Sequence, residues 1–263
     1  MRFKQTLLRM ALAPTLVLLG LAACGEAPVG AGSPLNREPA PRSTYLSPPQ
    51  ALTIDPAAEG LVLIGKAAPG ASVRLATPDG EVRTAEAGGD GGWRIALDAS
   101  TAPQIFGLSM TIANRTVQAE GYQLVLPDGR LVLLRAGAGA IVVQGAEAPG
   151  ILAFDFDEEG GAVISGIAAA DASLSVRIDG RTVSTSGRAN PQGRFNLPFG
   201  APVPSGTHQI RVQGESLDLS TEVDATPAPA ITAGAFRAAR TPHGLRVDWL
   251  TPGGGLQSTL LLD

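Results

Sequence analysis

The chain has little of several residue types on which common functions depend. It holds one cysteine and two histidines among 263 residues, and aromatic residues make up 4% of it. A lone cysteine cannot form a disulfide within the chain, so burial alone must hold the core together. Scarce aromatic residues disfavour the stacking platforms that bind sugars and bases. A formal net charge of −4 provides no basic surface for nucleic acid.

Motifs for catalysis are also missing from the sequence. It contains no Gly-x-Ser-x-Gly elbow, no phosphate-binding glycine loop and no His-Glu-x-x-His. His208 and His243 stand in no spacing typical of a metal site or a triad, and His208 is expected to be an exposed or half-buried strand residue. We therefore expect no enzymatic activity, no cofactor and no small-molecule substrate.

The single cysteine, Cys24, ends a basic and then apolar N-terminal stretch. Basic residues stand at positions 2, 4 and 9, an apolar run covers residues 10–21, and Leu-Ala-Ala precedes the cysteine. A membrane-spanning helix needs about 20 apolar residues, whereas this run is shorter and contains Pro14. Cleavage as an ordinary secretory signal is the other alternative, and it would put bulky Leu21 where a small residue is preferred.

Residues 1–24 resemble the signal peptide and lipobox of bacterial lipoproteins. The resemblance implies removal of residues 1–23 and lipidation of Cys24, whose acyl chains would hold the protein on a membrane. Gly25 stands where an Asp is the usual inner-membrane retention signal of Gram-negative lipoproteins. The resemblance therefore implies the outer membrane, with the chain on its periplasmic or cell-surface face.

Residues 24–50 are rich in proline, glycine and alanine and contain few large apolar side chains. Such a composition cannot bury a core, so we expect a flexible, disordered tether behind the lipidated cysteine. About 25 residues in a polyproline-like state would reach roughly 80 Å.

An internal repeat follows the tether. Residues 62–73 align with residues 163–174 at an offset of 101. Residues at four further places align with offsets of 99 to 101: Gly80 with Gly180, Gly92 with Gly193, Gly107 with Gly206, and Met110 and Ile112 with Ile210 and Val212. We use these pairs as landmarks of the repeat. The repeat predicts two homologous modules, over residues 51–148 and 149–263.

Each module shows the period-two alternation of short strands separated by turns. The dipeptides at 79–80 and 179–180 are both Asp-Gly, a tight-turn signal, and Pro127-Asp128-Gly129 predicts a further hairpin. About seven such strands in each copy predict an all-β fold made of two sandwiches.

The first copy resembles the bacterial immunoglobulin-like domains that are repeated in surface and envelope proteins. The similar residues are Gly-x-Ala-x-Pro-Gly-Ala-x-Val at 65–73, the Asp-Gly turn at 79–80, and Asp-Gly-Gly-Trp at 90–93. The second copy departs from this pattern, with Ala170-Asp171 in place of Pro-Gly and Phe195 in place of Trp93. The resemblance implies tandem immunoglobulin-like β-sandwich modules that are structural or adhesive and carry no chemistry.

The chain ends in two apolar runs, at residues 245–249 and 256–262. This C-terminal hairpin either completes the second sandwich or docks between the modules. We favour completion because an isolated hairpin is marginally stable in water. Trp93 and Trp249 alternate with aliphatic neighbours, so core packing is favoured over a role as exposed glycan-binding residues.

Four carboxylates cluster at the start of the second module: Asp155, Asp157, Glu158 and Glu159. Oxygen-rich loops bind Ca²⁺, which makes a metal site one alternative. However, Phe154 and Phe156 alternate with the two aspartates, and that pattern favours a strand with one solvated face. We therefore expect no metal here.

Together these features predict a lipoprotein held in a bacterial envelope by Cys24, with non-catalytic modules acting as a scaffold or binding a protein partner. Exposed strand edges would provide a contact surface, because their unpaired backbone groups accept a partner strand. The alternative is a module that binds glycan or peptidoglycan.

Overall fold

The computed structural model describes residues 45–263, apart from Ser216 and the side chain of Thr185. Cys24 and the tether up to residue 44 lie outside the described residues. The described part consists of strands, turns and loops without a helix. The prediction of an all-β fold is therefore confirmed.

Two sheets are built from the first half of the chain. Sheet A has the order β1 (Gln50–Ala57), β2 (Gly60–Lys66), β5 (Gly92–Asp98). Sheet B has the order β4 (Val82–Glu86), β3 (Ser72–Ala76), β6 (Gln104–Ile112), β7 (Arg115–Val125), β8 (Leu131–Leu134), β9 (Ile141–Gln144).

The second half of the chain builds two more sheets. Sheet C has the order β14 (Arg194–Pro198), β11 (Ala162–Ile167), β10 (Gly150–Asp157), β19 (Leu256–Leu262), β18 (Gly244–Leu250), β17 (Phe236–Thr241). Sheet D has the order β13 (Arg181–Arg188), β12 (Ser173–Ile178), β15 (Thr207–Gly214), β16 (Leu217–Asp224).

The two halves share one strand order. Sheet A faces β4-β3-β6-β7 in the first half, and β10-β11-β14 faces sheet D in the second half. Every paired strand in these sheets runs antiparallel to its neighbour, as in an immunoglobulin-like sandwich of three strands on four. The predicted tandem sandwiches are therefore present in the structure.

The structure corrects three landmarks of the repeat. A Cβ on Gly91 would lie 2.4 Å from the carbonyl oxygen of Ala67, and a Cβ on Gly193 would lie 2.4 Å from that of Ala168. Both glycines also have positive φ, so Gly193 corresponds to Gly91 and not to Gly92.

The second correction concerns β6 and β15. Leu75 pairs with Leu108, whereas its counterpart Val176 pairs with Val212. Leu108 therefore corresponds to Val212, whereas the sequence pattern aligned Val212 with Ile112, four residues later. The same shift rules out the alignment of Gly107 with Gly206, because Gly107 lies within β6 and Gly206 precedes β15. Alternating apolar residues align equally well at any even shift, which is why the pattern alone misplaced this strand.

The inner face of each sandwich is filled by its own apolar core. One large side chain closes each core over a glycine of the neighbouring strand: Trp93 over Gly65 and Phe195 over Gly166. The remaining large members of the first core include Ile54, Leu63, Leu75, Leu108 and Met110. Those of the second core include Phe154, Ile164, Val176, Ile210 and Leu260.

A third core lies between sheets B and C. It joins residues on the back of β6, β7, β8 and β9 to residues on the back of β10, β18 and β19, among them Leu124, Val132, Leu134, Val142, Ala153, Val247, Trp249 and Leu261. The four sheets therefore stack as layers in the order A, B, C, D with an apolar core in each gap. This back-to-back packing is not predicted by the alternation of the strands.

The C-terminal hairpin takes part in two of these cores. β19 pairs with β10 and so extends the sheet of the second sandwich, with Leu260 and Leu262 facing the second core. Leu261 and Trp249 face the third core. The hairpin thus extends the second sandwich and also packs against the first. The module boundary at 148–149 falls between β9 and β10 and stays a prediction, because the third core crosses it.

Candidate functional site

The polar centre of the junction between sheets B and C is Asp155 on β10. Its Oδ1 accepts hydrogen bonds from Thr259 Oγ1 at 2.6 Å and Gln257 Nε2 at 3.2 Å. Its Oδ2 accepts one from the backbone N–H of Ala140 at 2.7 Å. Gln257 also accepts from the backbone N–H of Gly137 at 2.9 Å. One carboxylate therefore connects the loop after β8 to β10 and β19.

Asp155 is 2% exposed, which corrects the expectation of a solvated strand face. Asp155 does alternate with Phe154 and Phe156, but the face of β10 that carries Asp155 is covered by sheet B and not by water. Burial raises the pKa of Asp155 to about 6, against the lowering effect of the bonds from Thr259, Ala140 and Gln257. The group is thus a structural carboxylate with three donors.

The other acidic residues of this segment do not join Asp155. The Oδ1 of Asp157 accepts from the backbone N–H groups of Glu159 and Gly161, at 3.0 Å and 2.9 Å, and so stabilises the turn after β10. Glu158 lies in this turn. Within residues 45–263 as described, the His, Cys, Asp and Glu side chains form no group of three that could hold a metal ion.

A second buried carboxylate, Asp248 on β18, is paired with arginine. Arg237 and Arg246 each lie 2.7 Å from it, and Ser258 donates to it at 2.7 Å. Burial acts to raise the pKa of Asp248, but the bonds from Arg246, Ser258 and Arg237 together lower it. Arg246 also lies over the ring of Phe156, 5.0 Å from its centroid. This cluster fixes β17 to the rest of sheet C.

Two backbone contacts join the second sandwich to β9 and to the loop before it. Arg194 on β14 donates from its guanidinium to the carbonyl oxygens of Val142 and Val143. Gly139 packs so closely on β11 that a Cβ there would lie 2.6 Å from Val163 Cγ1. Neither residue was singled out from the sequence, because each acts on backbone or side chains remote from it along the chain.

Both tryptophans lie in cores, as predicted. Trp93 is 2% exposed and Trp249 is 1% exposed. Trp249 donates from Nε1 to Thr259 Oγ1 at 3.1 Å and meets Tyr122 edge-on, with ring centroids 5.8 Å apart. The indole nitrogen of Trp93 finds no hydrogen-bond partner among the described residues.

The histidines differ in their surroundings. His208 is 9% exposed, so the expectation of an exposed or half-buried residue is wrong. Its Nδ1 lies 2.7 Å from Asp179 Oδ2 and its Nε2 lies 2.8 Å from the carbonyl oxygen of Pro204. His243 lies in the turn between β17 and β18, and its Nε2 is 3.5 Å from Oε1 of Glu222. The contacts of the two rings are with carboxylates and a backbone carbonyl oxygen.

The surfaces left for a partner are edges and outer faces. No further strand of the described chain pairs with the outer edges of β16 or β17. Asp218, Glu222 and Asp224 point outward from β16. Beside them, the outer face of sheet D holds an open depression of about 560 Å³, lined by Arg177, Gly180, Gln209, Arg211, Asp218 and Ser220. Such an edge and polar face can accept an added strand and hydrogen-bond its side chains.

Comparison with protein families and with curated sequences finds no match. Among solved structures, the chain is similar to a central fibronectin-III array of RIM-binding protein, at 16% identity and a TM-score of 0.28, covering 77% of this chain and 71% of that one. It is also similar to the BSP domain of a biofilm-associated protein, at 14% identity and a TM-score of 0.24, covering 71% of this chain and 30% of that one.

These similarities are too low to bear on function, and the sandwich assignment rests on the strand order. Among the described residues, no helix has the length and apolar character needed to cross a membrane.

Proposed function

We propose that this chain is a lipid-anchored lipoprotein of a bacterial envelope. It is a non-catalytic scaffold that binds a protein partner through its second sandwich. The resemblance of residues 1–24 to a lipoprotein signal supports the anchor at Cys24. The third core supports the scaffold, because it makes two sandwiches into one stiff body instead of two modules on a linker.

The continuous packing of the junction is the observation that carries the proposal. Apolar side chains, the buried Asp155 and the Arg194 contacts all cross from one sandwich to the other. Domains joined only by a linker are expected to move relative to one another. A joint that is apolar and closed by polar bonds instead holds the outer face of sheet D at a fixed place relative to sheet A.

The anchor is tested by lipid labelling in a Gram-negative host. We expect the unaltered chain to incorporate an alkyne-palmitate label and to fractionate with the outer membrane. Cys24→Ser should carry no label and leave the membrane fraction. Gly25→Asp is the matched control for sorting, and it should keep the label but move to the inner membrane. An unlabelled wild-type chain would refute the anchor.

The partner surface is tested by crosslinking in intact cells. A photo-crosslinking amino acid at Ser220, on the outer face of sheet D, should give one discrete protein adduct. The same amino acid at Arg94, exposed on sheet A, is the control and should give none. If neither position gives an adduct while the chain sediments with purified peptidoglycan, the glycan-binding alternative replaces the protein scaffold.

A further inference from the structure

His208 joins three elements at one end of the second sandwich. The residue lies on β15, while its two ring nitrogens contact Asp179 in the turn between β12 and β13, and Pro204 in the loop at 199–206. Asp179 also accepts from the backbone N–H of Gln209 at 2.9 Å. The histidine is thus the point at which a strand, a turn and a loop meet.

The two contacts require two protons on the ring. A backbone carbonyl oxygen such as that of Pro204 can only accept a hydrogen bond, and so can an ionised carboxylate such as Asp179. Neutral imidazole carries a single N–H and can satisfy only one of them. Both bonds therefore form together when His208 is the imidazolium and Asp179 is ionised.

We propose that His208 is a pH-sensitive clamp, which holds the 199–206 loop and the β12–β13 turn onto β15 when its ring is doubly protonated and releases one of them when the ring loses a proton. The proposal concerns a conformational device of the second sandwich. It is independent of the anchor and of the partner surface.

The charged groups around the ring favour the imidazolium. Asp179 of the β12–β13 turn contacts the ring, and Asp224 on β16, although its side chain points outward, adds the influence of a second negative charge. Arg181 beyond the turn acts on Asp179, and His243 and Arg246 of sheet C act on Asp224. Burial is the largest single influence and opposes the charge, yet the bonds to Asp179 and Pro204 prevail and raise the pKa of His208.

The sign of the pH dependence follows from these directions. The clamp's contribution from His208 is complete below the unfolded pKa, about 6.5, and is lost as the pH rises through the higher folded pKa. The bond from His208 lowers the pKa of Asp179, so that contribution is present above about pH 3.9 and is lost at lower pH. The clamp is therefore closed from about pH 4 to somewhat above pH 6.5.

A neutral ring keeps its single N–H towards the charged Asp179, because hydrogen bonds to an ionised group are the stronger ones, so the loop at 199–206 is the element released. This loop closes one end of the second core. Val203 is 6% exposed, and its backbone N–H donates to the carbonyl oxygen of Gly160 at 2.8 Å. Gly200 donates to the carbonyl oxygen of Val183 at 3.2 Å. When Pro204 loses its donor, we expect this loop to open more often and to expose the core around Val203.

The test is a histidine NMR titration of the full chain, combined with hydrogen exchange from pH 5 to 8. The sequence has two histidines, so His243→Gln leaves one signal and assigns it to His208. We expect that signal to titrate above 6.5, and Asp179→Asn to lower its pKa, because the substitution removes the carboxylate that favours the imidazolium. At pH values above the pKa of His208, hydrogen exchange at the Val203 amide, corrected for intrinsic rates, should be roughly tenfold faster than below it. This is the factor expected from losing a hydrogen bond that involves a charged group, here the imidazolium.

Two outcomes would overturn the proposal. One is a His208 signal that titrates at or below 6.5 in the unaltered chain. The other is exchange at Val203 that stays constant while His208 titrates, which would make the histidine a passive strand residue. His243→Gln must leave both measurements unchanged, because that ring contacts Glu222 and not the loop.

Discussion

At the scale of single residues, the two tryptophans show how equal burial hides different chemistry. Trp249 gives its N–H to Thr259, which in turn donates to Asp155, so its indole belongs to the polar network of the junction. Trp93 fills the first core with an N–H that has no partner among the described residues. Its counterpart Phe195 fills the second core with a ring that has no N–H to satisfy.

We therefore expect Trp93→Phe to cost less stability than Trp249→Phe. Both substitutions remove similar volume, but the second also leaves Thr259 without its donor and weakens the edge contact with Tyr122. The expected difference in the free energy of unfolding is about 1 to 2 kcal/mol. Urea denaturation of both variants measures it, and a larger loss for Trp93→Phe would contradict the assignment.

Asp155 provides a second prediction at this scale. Because burial raises its pKa to about 6, the folded state binds this proton more tightly than the unfolded state does. The resulting stability is present below the unfolded pKa of about 3.9 and is lost as the pH rises to about 6, by roughly 3 kcal/mol. Asp155→Asn should remove this decline.

The measurement is the free energy of unfolding of both proteins between pH 4 and pH 7. The variant should differ from wild type by an amount that changes with pH over this range. A constant difference would show that Asp155 does not titrate there. Asp157→Asn is the control, since that carboxylate lies in an exposed turn.

At the scale of elements, the signal for the third core was present in the sequence as apolar runs without alternation. Residues 124–126, 131–134 and 260–262 are consecutive Leu and Val residues. Such runs are typical of strands buried on both faces. The runs by themselves indicate only the hairpins in which they occur, because the elements that cover their second face come from other parts of the chain.

Two glycines in one loop allow the contact between the sandwiches to be tested. Gly137 and Gly139 both have positive φ, at 67° and 78°. A Cβ on Gly137 would meet no atom within 4 Å, whereas one on Gly139 would meet Val163 and Ser165. Alanine at either site suffers the left-handed backbone strain of about 1 to 2 kcal/mol, and only Gly139→Ala adds a clash.

We expect Gly139→Ala to lose about 1 to 3 kcal/mol more than Gly137→Ala, because overpacking pushes the loop away from β11. Chemical denaturation of the two variants under the same conditions gives the difference. Equal losses would mean that this loop does not bear on the second sandwich.

At the scale of the whole molecule, residues Tyr45–Asp263 form one compact unit although they contain two repeats. The third core makes the folding of each sandwich depend on the other, since β7, β8, β10 and β19 each contribute to cores on both faces. Proteins whose parts share a core unfold together.

We therefore expect a single cooperative thermal transition, with calorimetric and van't Hoff enthalpies that agree. Truncation after Thr241 removes β18 and β19, and with them the third core and one edge of the second. The truncated chain should lose the cooperative transition of the second sandwich. Two well-separated transitions in the intact chain would instead describe independent modules.

The sequence by itself determined the class of the fold, the repeat, most turns and the burial of both tryptophans. These follow from local rules: alternation with a period of two, and glycine or aspartate where the backbone turns with positive φ, as at Asp179 and Gly180.

Only the tertiary structure decided that Asp155 and His208 are buried and bonded, and that sheets B and C lie back to back. A strand's alternation shows that its two faces differ, but not what covers the second face. The groups that contact Asp155 come from different elements: Thr259 on β19 lies about a hundred residues after it, and Ala140 belongs to the loop before β9. Such contacts are settled by packing over the whole molecule.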